Sequence, residues 1–288
     1  MTSVPPSDQQ LAKVRWPLKS AVLGKDSGGW RSTGAGEGME MATVREYTIG
    51  DDPRRINWTA TARTGSLHVV VPIAERSLST VVAVDTSGSM ATGSFRTKID
   101  TALEAVDTVS KLASRHSDRF ELLVVGETVR RTPIRQGKSA LKNAETLLET
   151  VVASGEGKFS ESILRSLRGR PGLLIAVSDW RLDSDREALR LCSELVETIA
   201  IRVMDPTELE LPNAGLITLQ NPESGQQMLL DTGDPSVRER FSLAARELDA
   251  DFRSKSRGCR LVIDVSTSGE HGGTQVLEQL LQNKRRRR

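Results

Sequence analysis

Thr80-Val81-Val82-Ala83-Val84-Asp85-Thr86-Ser87-Gly88-Ser89-Met90 is the stretch on which the fold turns. A short run of β-branched and small apolar residues ends in a carboxylate, then in a loop of hydroxyls and glycine. A run that is apolar at every position, rather than at every second one, suits a strand covered on both faces. Four similar runs follow: Phe120 to Val125, Leu173 to Val177, Thr198 to Val203 and Arg260 to Val265. Between them, Ile99, Leu103, Val106, Val109 and Leu112 recur at helical spacing, as do Leu141, Ala144, Leu147 and Leu148, and Ile163, Leu164 and Leu167. The pattern predicts further helices over Ser236 to about Arg253 and over Gln275 to Gln282. It also predicts a hairpin of Ile217 to Leu219 with Met228 to Leu230, around Asn221-Pro222-Glu223-Ser224-Gly225. Strands alternating with helices imply an α/β domain with a mostly parallel sheet and helices on both faces.

Outward from that core, composition mainly excludes. The 288 residues suit one large domain or one domain with an elaborated end. A formal charge of +2 gives no global field for nucleic acid or an anionic membrane. The aromatic content of 3% disfavours base-stacking platforms. Two cysteines rule out a disulfide scaffold, the longest apolar runs are strand-sized, and the first ten residues lack the basic start and apolar centre of a secretory signal. The expectation is a cytoplasmic protein without a membrane span. Residues 1 to about 44, dense in Pro, Gly and Ser, read as an extended, partly disordered arm.

Open α/β sheets bind ligands beyond the carboxyl ends of their strands. Asp85 and Asp179 both stand at such ends. Asp85 with Ser87 and Ser89 can supply several hard oxygen ligands on one side of a tight loop, a set suited to Mg²⁺ or Mn²⁺, with Asp179 neutralising the ion through a water. The plainer alternative is that Asp85 only caps its loop. Other apparent motifs fail. Gly137-Lys138-Ser139 has Thr132 where a phosphate-binding loop needs glycine, Gly34 to Gly38 lacks dinucleotide spacing, and His68, His116 and His271 show no convergence. The terminal Lys284 to Arg288 reads as a solvated tail, and nucleic acid is not expected as a partner.

Asp85-x-Ser87-x-Ser89 after the first strand resembles the metal-ion-dependent adhesion site of von Willebrand factor type A domains, and Asp179 resembles its later acidic ligand. The stretch Arg45-Glu46-Tyr47-Thr48-Ile49-Gly50-Asp51-Asp52-Pro53-Arg54-Arg55-Ile56-Asn57-Trp58, with Ala62-Arg63-Thr64-Gly65, resembles the signature of the bacterial domain of unknown function 58 family. Ser178-Asp179, Met204-Asp205-Pro206 and Asp231-Thr232 agree with it. The resemblance implies an extended arm over residues 1–44, a signature segment packed on the core over 45–78, a type A-like Rossmannoid domain over 79–283 with a small β-hairpin elaboration, and a basic tail over 284–288. Within the signature, Arg45, Arg54, Arg55 and Arg63 can pair with Glu46, Asp51 and Asp52, with Trp58 as an apolar anchor. The same arginines can instead form a recognition surface for a carboxylate or phosphate.

In one place the sequence departs from the type A pattern. Where a threonine normally contributes to the metal site, this chain has Gly157-Lys158. Either Lys158 places its ammonium near Asp85 and Asp179 in place of the ion, or it is solvated and Ser154 or Ser160 supplies the hydroxyl. The family resemblance implies a non-catalytic interaction module, an adaptor or co-chaperone for a MoxR-type AAA+ ATPase. The competing reading is a Mg²⁺-dependent hydrolase or phosphoryl-transfer enzyme using Asp85 and Asp179.

Overall fold

The computed structural model describes residues 4–14, 42–72, 79–116, 118–155, 157–169, 172–220 and 225–286. The chain forms two compact units, residues 1–16 with 78–288 and residues 17–77. The larger unit starts with helix α1 (Asp8–Ala12), whose Ser7 and Gln10 form a reciprocal capping box. Leu11 and Val14 are buried, and Asp8 meets Arg115 at 2.7 Å. The start of the expected arm is therefore ordered by a cap and an apolar pair. Its Pro/Gly/Ser-rich remainder, 15–41, lies outside the described residues.

In the smaller unit, β1 (Ala42–Glu46) pairs antiparallel with β2 (His68–Pro72), in a register running from Ala42 opposite Pro72 to Glu46 opposite His68. Asp52 caps a 3-10 turn at Pro53–Arg55, and Asn57 caps helix α2 (Trp58–Thr64). That helix ends on Gly65 at φ 77°, the left-handed conformation a helix terminus reserves for glycine. Backbone bonds from Tyr47 N to Leu67 O (2.8 Å) and from Asn57 N to His68 O (2.7 Å) close the unit.

The larger unit continues with β3 (Ser79–Asp85), α3 (Lys98–Arg115), β4 (Arg119–Val125), β5 (Val129–Arg131), β6 (Arg135–Gln136), α4 (Gly137–Leu148), α5 (Phe159–Ser166), β7 (Leu173–Ser178), α6 (Asp183–Leu195) and β8 (Glu197–Met204). After the hairpin of β9 (Leu216–Gln220) and β10 (Gln227–Asp231) come α7 (Pro235–Lys255), β11 (Leu261–Ser266) and α8 (Gly272–Arg286). The sheet order is β11-β8-β7-β3-β4-β5. Its first five strands are parallel neighbours, and β5 and β6 pair antiparallel with β4. Helices α3, α4 and α8 pack together on one side, α5, α6 and α7 on the other. This is the mostly parallel α/β arrangement that the strand-run pattern implies, and the type A-like one that the resemblance implies.

Burial explains the unbroken apolar runs: every residue of β7, and all of β3 after Ser79, is buried. Ala83, Ala176 and Ala200 stand in register across β3, β7 and β8. This row of small residues shares one core with the large side chains Phe159, Ile163 and Trp180, the alternation of small and large that fills a core. Each large apolar side chain so buried contributes about 1.5–3 kcal/mol. No helix among the described residues is long and apolar enough to cross a membrane. At the C-terminus, α8 extends into the basic tail as far as Arg286, and 287–288 lie outside the described residues.

Candidate functional site at the strand ends

The sheet delivers Asp85 and Asp179 to the same edge, because β3 and β7 are adjacent and parallel. Asp85 is buried. Its Oδ1 accepts from Ser87 N at 2.9 Å, and its Oδ2 accepts from Ser178 Oγ at 2.8 Å. Ser87 Oγ and Ser89 Oγ are 3.2 Å apart. The loop before α5 closes over them: Gly88 N donates to Gly155 O (2.8 Å), and Ser154 N donates to Thr86 O (3.0 Å). Gly157 sits so close that a Cβ there would lie 2.9 Å from Ser87 Cβ and 3.3 Å from Asp85 Oδ1. A side chain at this position would force Ser87 to shift, so glycine permits the close approach.

Asp179 is held differently. It precedes Trp180, a non-glycine residue at φ 56°, a strained conformation that the surroundings must enforce. Trp180 is buried, donates from N to Ser178 Oγ (3.1 Å) and from Nε1 to Ile201 O (3.1 Å), and packs edge-on against Phe159. Arg186 fastens the same loop by donating to the carbonyls of Trp180 (2.9 Å) and Arg181 (2.6 Å).

The ammonium at this site belongs to Lys98. Lys158 is exposed at the start of α5, the solvated one of its two alternatives. Lys98, the first residue of α3, is 1% exposed, and its Nζ lies 2.6 Å from Asp179 Oδ2 and 2.7 Å from Glu208 Oε1. Burial works against this charge, but Asp179 and Glu208 outweigh it and raise its pKa above the ordinary lysine value. Sequence reasoning passed over Lys98, although a signal existed. It falls on the buried stripe of Ala102, Ala105, Val109 and Leu112, where a lone lysine needs a buried partner. Ser154 is exposed. Ser160 is partly buried, with its backbone N–H donating to Asp185 Oδ1 at 3.0 Å.

Asp185 is the second residue missed, a buried carboxyl on α6. Burial and then the nearby Asp85 push it up to about 7, while burial and then Asp179 push Asp85 up to about 6. Three carboxyls therefore share a site in which, among the described residues, Lys98 supplies the buried ammonium. Asp85, Ser87 and Ser89 are oxygen donors of the kind a divalent cation takes; their two hydroxyls are hydrogen-bonded to each other, and no group of three or more His, Cys, Asp or Glu side chains placed to hold a metal occurs among the described residues. Oxygens in adjacent positions around an octahedral Mg²⁺ at about 2.1 Å are about 3.0 Å apart, close to the hydroxyl separation seen here.

Just after β8, Asp205 ties three loops together, accepting from Ser94 N (2.7 Å), Ser94 Oγ (2.8 Å), Thr267 Oγ1 (2.6 Å) and Thr207 N (2.9 Å). Burial alone would raise its pKa, yet the bonds from Thr207, Thr267 and Ser94 hold it well below the usual carboxylate range.

The signature residues gather in the smaller unit, and the expected pairing holds for one arginine. Arg45 grips Asp51 with two bonds, 2.6 and 2.7 Å, and Asp52 caps the following turn. Arg54, Arg55 and Arg63 are exposed and make no side-chain bond or ion pair among the described residues. Trp58, which opens α2 after the cap Asn57, is 68% exposed rather than an anchor.

The family model described as a protein of unknown function, DUF58, matches residues 43–251, a span that includes both the signature and the strand-end site. The chain belongs to the DUF58 family. An uncharacterized protein of Mycobacterium tuberculosis is 34% identical to this DUF58 chain over 235 residues, covering 78% of this chain and 73% of the relative. An uncharacterized Mycobacterium avium protein is 29% identical over 138 residues, 45% of this chain and 79% of its own. Among solved structures, BatB from Bacteroides thetaiotaomicron is similar at 13% identity, covering 72% of this chain and 99% of its own, with a TM-score of 0.43.

Proposed function

We propose that this DUF58 protein is a non-catalytic protein-interaction module whose strand-end site holds Mg²⁺ or Mn²⁺ through Asp85, Ser87 and Ser89, with Asp179 alongside. The observation that carries the reading is the pair of hydroxyls 3.2 Å apart beside the buried Asp85 carboxylate. Burial and then the neighbouring carboxylates raise Asp85 and Asp185, and a cation relieving both effects is the support for the reading. A bound cation would supply Lewis acidity and a coordination position open to a partner's carboxylate. Asp85 would provide the charge, Ser87 and Ser89 neutral oxygens, and Lys98 would keep Asp179 and the Glu208 loop fixed beside them. Gly157 admits the covering loop without adding a side chain beside Asp85 and Ser87.

The partner class implied by the family resemblance is a MoxR-type AAA+ ATPase, with the module acting in the cytoplasm as its adaptor or co-chaperone. The test is affinity capture from a native lysate with wild type and Asp85→Ala, each with Mg²⁺ or with EDTA. The reading expects an AAA+ ATPase recovered by wild type with Mg²⁺ and lost in the other three samples. Equal recovery from all four removes the strand-end site from the interface, and no ATPase in any sample counts against the adaptor role.

A further inference from the structure

The two edges of the main sheet are finished in different ways. At one edge, β5 and β6 are three and two residues long, carry Arg130, Arg131 and Arg135, and are separated by Pro133. Short, charged, proline-interrupted edges discourage a further strand from pairing. At the other edge stands β11, the six residues Leu261-Val262-Ile263-Asp264-Val265-Ser266, with no lysine, arginine or proline. It pairs with β8 on its inner side, and among the described residues no strand lies on its outer side. A strand of this composition is a template for strand addition unless something covers it. Helix α8 covers it with side-chain amides. Gln279 Oε1 accepts from Asp264 N at 3.2 Å, while Gln279 Nε2 donates to Asp264 O at 2.6 Å. One helical turn earlier, Gln275 Oε1 accepts from Ser266 N at 2.8 Å, while Gln275 Nε2 donates to Ser266 O at 2.9 Å. Each glutamine thus gives one outward-facing residue both bonds that a neighbouring strand would give. The repeats match, since four helical residues advance about 6 Å and two strand residues about 6.6 Å. Val276 and Leu277, buried between the two glutamines in sequence, hold the helix in place.

We propose that Gln275 and Gln279 act as a strand substitute that closes β11 against the β11 of a second copy, so that removing them turns this edge into a dimer interface. The strand can pair with itself. Its apolar residues would meet their own kind, and its one charge, Asp264, is already neutralised by Arg202 and Arg253, so like charges do not oppose the contact. A two-fold antiparallel contact consumes both β11 edges and stops at the dimer.

The test compares the full chain as wild type, as Gln275→Ala/Gln279→Ala, and as that double variant with Ser266→Pro added. The Ser266 N–H faces Gln275 rather than β8, so proline there obstructs an incoming strand without removing a bond to β8. Sedimentation velocity over a concentration series should show the double variant associating into a dimer at least about tenfold more tightly than wild type, and the added proline should reverse this. Amide hydrogen exchange reads the closure in wild type, whether or not a variant folds. The Asp264 and Ser266 amides, although outside the ladder with β8, should be protected at least about tenfold over free amides and should lose that protection in the double variant. Association of a folded double variant no tighter than wild type, association that the proline leaves undiminished, or wild-type Asp264 and Ser266 amides that exchange like free ones would each overturn the proposal.

Discussion

Replacing Lys98 with methionine removes the buried ammonium but keeps its aliphatic stem. Asp179, 3% exposed at its side chain, then loses the partner 2.6 Å away, and Glu208, 25% exposed, loses the one at 2.7 Å. Breaking a buried ion pair from one side costs about 3–5 kcal/mol. The lower end applies here, since Glu208 can rehydrate, so the expected loss is about 3 kcal/mol near pH 8, or about 6–10 °C in Tm. The deficit also depends on pH. Without the ammonium, Asp85 and Asp185, already pushed up by burial and by neighbouring carboxylates, keep a proton in the folded state to higher pH, so the variant's stability falls relative to wild type as pH rises. Urea unfolding at about pH 5.5 and about pH 8 should show the larger gap at the higher pH. Adding Asp179→Asn should restore at least half of the loss. A deficit below about 0.5 kcal/mol, within the range of an ordinary surface substitution, or one independent of pH, would refute the reasoning.

Asp185→Asn should stabilise the protein. The wild-type carboxyl is pushed up to about 7 when folded but has an ordinary value when unfolded, so its penalty grows between about pH 4 and pH 7 and then levels off at a few kcal/mol. Unfolding midpoints that differ equally at about pH 4.5 and about pH 8 would contradict this. Gly157→Ala places a Cβ 2.9 Å from Ser87 Cβ, so calorimetry should show a loss of about 1–2 kcal/mol together with weakened Mn²⁺ binding. Asp205→Ala removes a carboxylate that accepts from Ser94, Thr207 and Thr267. A loss of about 3 kcal/mol is expected at neutral pH. Because the folded carboxyl is held below the usual range, this gap should shrink as acid protonates the wild-type group.

Much of the sheet was legible because burial on both faces leaves an unambiguous apolar run, and the five parallel strands fall where those runs lie. Helix α6 was not read, since Asp183-Ser184-Asp185-Arg186 and later charged residues interrupt its apolar face, and two of them, Asp185 and Arg186, are buried through polar contacts. Strands β5 and β6 are too short and too exposed to carry a pattern. At the site, Asp85, Ser87, Ser89 and Asp179 were readable because strand ends place them. Lys98, Glu208 and Asp185 reach the same place from α3, the loop after β8, and α6, a convergence set by packing across the sheet rather than by spacing along the chain. In the signature, residue types suggested mutual pairing, but local caps consumed Asp52 and Asn57 and left most guanidinium groups facing solvent.

The central claim is that Asp85, Ser87 and Ser89 hold a divalent cation. Isothermal titration of metal-free protein with Mn²⁺, wild type beside Asp85→Asn, tests it most directly. The account predicts equimolar, EDTA-reversible binding by wild type and its loss in Asp85→Asn, because the amide removes the charged oxygen donor while preserving side-chain shape. Absence of binding in wild type, or equal binding by both proteins, would contradict it.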